Sequence, residues 1–230
     1  MHEVLRDRIP ADHSRQMSID EYVNAVIGGR DGPLTILDLG CGAGDLVRAI
    51  NGAYSQAVCI GLDIPDSPEV RERKKGGNFV TFDGVRVPFA SSSFDFVVSR
   101  QVLEHVERPE ELLSEVARVL KPGGQFFGST SHLEPFHSYS TWNYTPYGLC
   151  KLAQRAGLEA VEFRPGTDAI TMIARRVVRR RGLFDRWLRS ESPLNRFISL
   201  VGRLRRWDHS RINAIKLQLA GQFYFVMVRR

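Results

Sequence analysis

The run Gly40-Cys41-Gly42-Ala43-Gly44 follows an apolar stretch and opens into a helical pattern. Glycines at alternate positions permit a tight turn and let a ligand approach the backbone. The spacing is GxGxG. A dinucleotide fingerprint, GxGxxG, requires glycine where Asp45 stands. A carboxylate at a helix N-terminus is favoured by the helix dipole but opposes a pyrophosphate placed there. The loop therefore suits a ligand without phosphates. Asp63 closes the next apolar stretch, a place from which an acid accepts hydrogen bonds from ribose hydroxyls. A nucleoside without phosphate, beside a group carrying an amine, points to S-adenosylmethionine.

These residues need a scaffold, and the chain supplies one of alternating strands and helices. TILDL (35–39), AVCIGLD (57–63), NFVTFD (78–83), FDFVVS (94–99), QFFGST (125–130), EAVEFR (159–164) and QFYFVMVRR (222–230) read as strands. The fourth is continuous and apolar, as a strand covered on both faces should be. Helices are expected from Asp45, from Pro109 to Leu120, and from Pro146 to Gly157 with Thr145 as cap. This alternation implies a doubly wound α/β sheet in one domain. Residues 1–30 match no motif. Met17, Ile19, Tyr22, Val23 and Val26 suit a helix that either covers the cofactor or packs on the sheet.

ILDLGCGAGDL (36–46), CIGLDI (59–64), FDFVVSRQVLEHVERPEELLSEVARVLKPGGQF (94–126) and YTPYGLCKLAQRAGL (144–158) together resemble class I S-adenosylmethionine-dependent methyltransferases of the group with LEHV…RVLKPGG. The resemblance covers about residues 34–166 and the final strand. It implies a Rossmann-like seven-stranded sheet whose last strand is antiparallel. It also implies residue roles. Asp38 and the backbone at Gly40 would hold the methionine amino end. Gly42 and Gly44 would let the cofactor pass, and Asp63 would bind the ribose. Ile64 would pack on the adenine, and Asp83, beside Gly84, would accept from its exocyclic amine. Arg100 and Gln101 would flank the sulfonium and acceptor. For Asp83, in FDGV, a simple turn-forming role is the alternative.

Methyl transfer from a sulfonium chiefly requires alignment, because the donor is already activated. A base is needed where the acceptor loses a proton, and histidine is the usual one near neutral pH. His137 is the preferred candidate, in an aromatic loop (132–144) after the fifth strand that also holds His132, Phe136, Tyr139 and Trp142. His105, in LEHV, and Tyr144 are the others. Aromatic walls suit a planar or lipid-like acceptor, or simply cover the sheet.

The 230 residues carry a net charge of +6, unevenly placed. Residues 167–213 hold twelve arginines, four acids and no lysine, net +8, which leaves −2 for the rest. Apolar positions there (Leu183, Phe184, Trp187, Leu188; then Leu194, Phe197, Ile198, Val201, Leu204) predict two short amphipathic helices inserted before the last strand. Their arginines could form a solvated face, lie on an anionic membrane or bind a polyanion. No RNA-binding module is recognisable, which makes nucleic acid the weaker partner. Three scattered cysteines fit a reducing compartment and oppose a disulfide framework or a zinc site. No apolar run is long enough to span a bilayer. The expectation is a cytoplasmic enzyme, with peripheral contact at the inner face of a membrane left open. It would methylate an oxygen of a small-molecule, sugar or lipid-linked acceptor and release S-adenosylhomocysteine. A tRNA or rRNA methyltransferase, or a non-catalytic module on the same fold, are the alternatives.

Overall fold

The computed structural model describes residues 2–30, 32–74, 76–136, 138–178, 181–188 and 190–230. Seven strands form one sheet: β1 (Leu34–Leu39), β2 (Ala57–Asp63), β3 (Phe79–Thr81), β4 (Phe94–Arg100), β5 (Leu120–Ser131), β6 (Leu158–Pro165) and β7 (Gln222–Arg229). Their order is β3-β2-β1-β4-β5-β7-β6, and β7 runs antiparallel to both its neighbours. The expected seven-stranded sheet with a reversed last strand is therefore what the chain forms.

Helices cover both faces. Ten are described: α1 (His2–Leu5), α2 (Ile19–Gly28), α3 (Asp45–Ala53), α4 (Pro68–Arg71), α5 (Pro109–Val119), α6 (Pro146–Arg155), α7 (Ala169–Val178), α8 (Arg181–Phe184), α9 (Pro193–Leu204) and α10 (His209–Gln218). Alternate strand residues point to opposite faces. Ile36, Phe96 and Phe127 meet α2 and α3 through Tyr22, Ile27, Val47 and Ile50. Leu37, Leu39, Val97 and Phe126 meet α5, α6 and α10 through Leu112, Val116, Leu149 and Leu217. Thr145 caps α6, its hydroxyl accepting from Gly148 N.

Three details differ from the sequence expectation. β5 begins at Leu120 rather than Gln125, because Leu120 pairs with Phe94 and Gln125 with Phe96, so Lys121–Gly124 bulge out of the ladder. Lys121 fixes that bulge by an ion pair to Asp95 at 2.8 Å. The second difference is the segment between β6 and β7. It holds four helices, α7 to α10, and a 3₁₀ turn (Asp185–Leu188) instead of two helices. Arg179, Arg180 and Arg189 and the Leu183 side chain lie outside the described set. The segment's ends meet as the expected tight turn would: Gly166 N donates to Gln222 O (2.9 Å) and Gly221 N to Thr167 O (2.8 Å). Third, α9 buries Ile198 but turns Phe197 and Leu204 to solvent.

Residues 9–18 form a strap that ties this segment to β6. Gln16 receives Asn195 Nδ2 on its side-chain oxygen (3.0 Å) and gives its backbone N–H to Glu191 (2.7 Å). Asn213 Nδ2 donates to the Pro10 and His13 carbonyls, each at 2.8 Å. Arg164 of β6 reaches Asp12 at 2.7 Å. The strap leads into α2, whose Ser18–Glu21 capping box fixes its start.

Candidate active site

A cavity of about 740 Å³ opens at the carboxyl ends of β1, β2 and β4, where ligands bind in open α/β sheets. The glycine loop forms its floor. Gly40 has φ +72°, and a Cβ there would stand 2.2 Å from Val102 Cγ2, so only glycine fits. Gly42 lines the cavity. Gly44 plays a different part: it begins α3 in the left-handed region, and a Cβ would meet the Phe79 ring at 2.4 Å. Its lack of a side chain serves Phe79 rather than the cavity. Asp45 is highly exposed and pairs with Arg48.

Asp63, buried at the end of β2, braces the loop. Its Oδ2 accepts from Gly42 N at 2.6 Å and its Oδ1 from Ile64 N at 2.8 Å. Arg73, which the sequence reading missed, completes the brace. Its Nε donates to Gly42 O (2.9 Å), its Nη2 to Cys41 Sγ (3.4 Å), and its guanidinium stacks 4.5 Å from the Phe79 ring centroid. No motif spacing marks it. The only signal was a basic residue in a polar stretch that must pass back over the loop. Cys41 is a buried space-filler whose thiol is pushed up to about 12 by burial.

Asp38 lies under the loop, wholly buried, with Oδ2 lacking a hydrogen-bond partner. Burial raises its pKa to about 7, opposed by Arg100, with Asp63 adding to the rise. Arg100 and Gln101 both line the cavity, and Arg100 lies 3.5 Å from Asp20 at the start of α2. α2 thus packs on the sheet while its first turn reaches the cavity's edge. Gln101 has φ +55°. With its amide nitrogen toward Glu104 Oε1 (2.8 Å), its amide oxygen accepts from Ser129 Oγ and Thr130 N, both at 3.2 Å. On the opposite wall are Ile64, Phe82, Gly84 and Val85. Asp83 lines the cavity there and also closes a turn, Oδ1 accepting from Val85 N (2.9 Å) and Arg86 N (2.7 Å), which holds its pKa down.

The candidate bases are spread differently. His105 lines the cavity, with Ser138 and Tyr139. His137 lies outside the described residues. His132 is half-buried away from the cavity, its Nδ1 donating to Tyr144 O (2.8 Å), and burial lowers its pKa. Tyr144 is buried too. Its hydroxyl donates to Leu103 O at 3.0 Å, and burial raises its pKa. It anchors the loop and does not line the cavity. Glu104, which the sequence reading used only as part of LEHV, is the hub of that anchoring. Its carbonyl accepts from Thr141 N (2.6 Å) and Trp142 N (3.0 Å). Its buried carboxyl accepts from Thr130 Oγ1 and Ser131 Oγ, and burial raises its pKa.

Sheet order, glycine loop and strand-end acid are those of the class I S-adenosylmethionine-dependent methyltransferase fold, which this chain shares. A methyltransferase domain family model matches residues 37–128, which hold the loop, Asp63, Arg100 and Glu104. An uncharacterised methyltransferase of Mycolicibacterium gilvum is 36% identical over 111 residues, 46% of this chain and 42% of that protein. A ubiquinone biosynthesis O-methyltransferase of Saccharophagus degradans is 35% identical over 107 residues, 44% of each. The match thus spans less than half the length of these relatives. Among solved structures, a putative sarcosine dimethylglycine methyltransferase of Galdieria sulphuraria aligns with TM-score 0.60 and 16% identity, covering 99% of this chain and 96% of that one.

Proposed function

We propose that this protein transfers a methyl group from S-adenosylmethionine to an oxygen of a small-molecule, sugar or lipid-linked acceptor. The observation that carries the reading is the buried, unpartnered Asp38 Oδ2 beneath a glycine loop that Asp63 and Arg73 hold rigid. A buried carboxylate oxygen without a donor is costly. The cofactor's ammonium, set at Gly40, would be its missing partner. Asp63 keeps lone pairs for both ribose hydroxyls, since each of its oxygens accepts one backbone bond. Ile64, Phe82 and Val85 offer an apolar slot for adenine, and Asp83 an acceptor at its edge.

The cofactor supplies an already activated methyl on a sulfonium. The protein's task is then to align the acceptor and take its proton. Arg100 and Gln101 stand at the end of β4 to fix the acceptor's side of the cavity. His105 is the described histidine in that wall and would serve as base for a hydroxyl acceptor. His137 remains the other candidate. Relatives include O-methyltransferases and sterol C-methyltransferases alike, so the preference for oxygen rests on the candidate base in the cavity wall.

Calorimetric titration with S-adenosylhomocysteine tests the reading. The wild type should bind saturably. Asp63→Ala removes two charge-assisted hydrogen bonds and should weaken binding by about 2–4 kcal/mol, roughly 30- to 1000-fold. No binding to the wild type would overturn the cofactor assignment.

A further inference from the structure

The segment between β6 and β7 presents apolar side chains that its own packing does not use. α7 rests on the body through Ala169, Thr171 and Met172, and α9 through Asn195, Ile198 and Gly202. Each helix carries a second apolar stripe facing solvent: Ile170, Ile173 and Val177 on α7, and Phe197, Leu200 and Leu204 on α9. Both stripes are spaced i, i+3, i+7, so each is one continuous face. Val177 is 74% exposed, Phe197 62% and Leu204 77%. Single exposed apolar residues are ordinary; two ordered stripes are not.

The surrounding charge is positive and uncompensated. The four acids of the segment are engaged locally: Asp168 with Thr171, Asp185 with Arg175, Glu191 with Lys216, and Asp208 at the cap of α10. Arg196, Arg203, Arg205 and Arg206 are exposed, and no carboxylate pairs with them among the described residues. This surface also reaches the cavity. Arg176 Nη2 on α7 donates to Phe136 O (3.0 Å), Phe136 is itself 76% exposed, and Tyr139, three residues on, lines the cavity.

We propose that α7 and α9 dock on an anionic lipid bilayer, with the apolar stripes in the headgroup boundary and the arginines on lipid phosphates. Amphipathic helices with basic flanks and aromatic or aliphatic faces lie at that interface. Nucleic acid fits less well. Phosphate binding has no use for the bare stripes, and the segment's indoles are covered: Trp187 by Arg186 (4.6 Å), Trp207 by Arg211 (4.7 Å). A second copy docked symmetrically would set arginine against arginine. Docking stands independently of methyl transfer. Its corollary, that the acceptor enters from the bilayer past Phe136 and Tyr139, rests on the function proposed above.

Sedimentation with vesicles tests the docking, using phosphatidylcholine alone and phosphatidylcholine mixed with phosphatidylglycerol. The wild type should sediment with the anionic vesicles and not the neutral ones. The triple variant Val177→Ser, Phe197→Ser, Leu204→Ser should lose about tenfold or more in binding, since it removes most of the apolar insertion. An unchanged far-ultraviolet circular dichroism spectrum and a cooperative thermal transition show that the variant is folded. A Gly182→Ala variant, at an exposed site where a Cβ meets nothing within 4 Å, should bind vesicles like the wild type. The proposal falls if the wild type ignores anionic vesicles or if the triple variant binds them equally well. It also falls if single-stranded RNA binds with steep salt dependence while vesicles do not, or if the stripes instead mediate self-association. Vesicle binding without S-adenosylhomocysteine binding would leave docking in place and remove the methyl-transfer reading.

Discussion

Asp38 is the residue whose physics constrains the site most tightly. Its carboxyl is buried, its pKa is raised to about 7, and one oxygen has no partner. In the unfolded chain the same group would lose its proton near its ordinary value of 3.8. The folded protein therefore holds the extra proton between about pH 4 and pH 7, and stability falls as pH rises through that window. Above pH 7 the ionised carboxylate costs on the order of 4 kcal/mol until a cation pairs with it. Asp38→Asn should thus stabilise the ligand-free protein at pH 8 by a few kcal/mol, with little effect at pH 4. It should also weaken S-adenosylhomocysteine binding, and wild-type affinity should drop as pH falls below 7. Denaturant unfolding at the two pH values and calorimetry across the range check both. An Asp38→Asn variant less stable than the wild type at pH 8 would show that Arg100 already serves as the counter-charge of Asp38. Asp38, Gly40 and Asp63 were legible in sequence because each sits at a fixed offset from a strand end. Arg73 was not, because it reaches the loop across space, 31 positions from the Gly42 carbonyl it holds.

At the scale of elements, strands and their order were legible because burial on both faces writes an apolar run. The helices before β7 were less so. α10 buries Asn213 and Lys216 beside Ile212, Ala214 and Leu217, so its sequence lacks the one-sided apolar pattern that marks a helix. The strap of residues 9–18 was invisible for another reason: it is held by side chains distant in sequence. Lys216, wholly buried on α10, donates to Ser14 O (2.6 Å) and pairs with Glu191, while Glu191 also accepts from Gln16 N (2.7 Å). Desolvation lowers the Lys216 pKa, and Glu191 opposes that fall. Breaking such a pair from one side leaves a buried charge uncompensated, whereas replacing both partners with apolar residues is far milder. Glu191→Gln should therefore lower unfolding stability by about 3 kcal/mol, and Glu191→Met with Lys216→Met by clearly less. A double variant as unstable as the single one would mean that the pair itself, and not the stranded ammonium, holds the strap.

Over the whole molecule, a body of net charge −2 carries a segment of +8, yet the two share one framework. The segment leaves β6 and rejoins β7 across paired backbone, and the strap bonds to both it and β6. No described helix is long and apolar enough to cross a membrane. The sequence suggested a basic helical insertion within one domain, and its hydrogen bonds tie it to the strap and to the strands on either side. A ligand that binds only the folded state stabilises by RT ln(1 + [L]/Kd), about 2.7 kcal/mol at a hundredfold excess over Kd. For a chain of this size that amounts to a rise in Tm of roughly 5–10 °C. If strap, segment and sheet unfold together, saturating S-adenosylhomocysteine should move one calorimetric transition by that amount, with far-ultraviolet and tryptophan signals shifting in step. Trp187 and Trp207 lie in the basic segment and Trp142 bonds to Val106 in the cavity wall, so in a Trp142→Phe background the fluorescence reports on that segment. Two transitions, with the tryptophan change left unmoved by ligand, would show that the segment folds on its own and that its bonds to the strap do not couple it to the site.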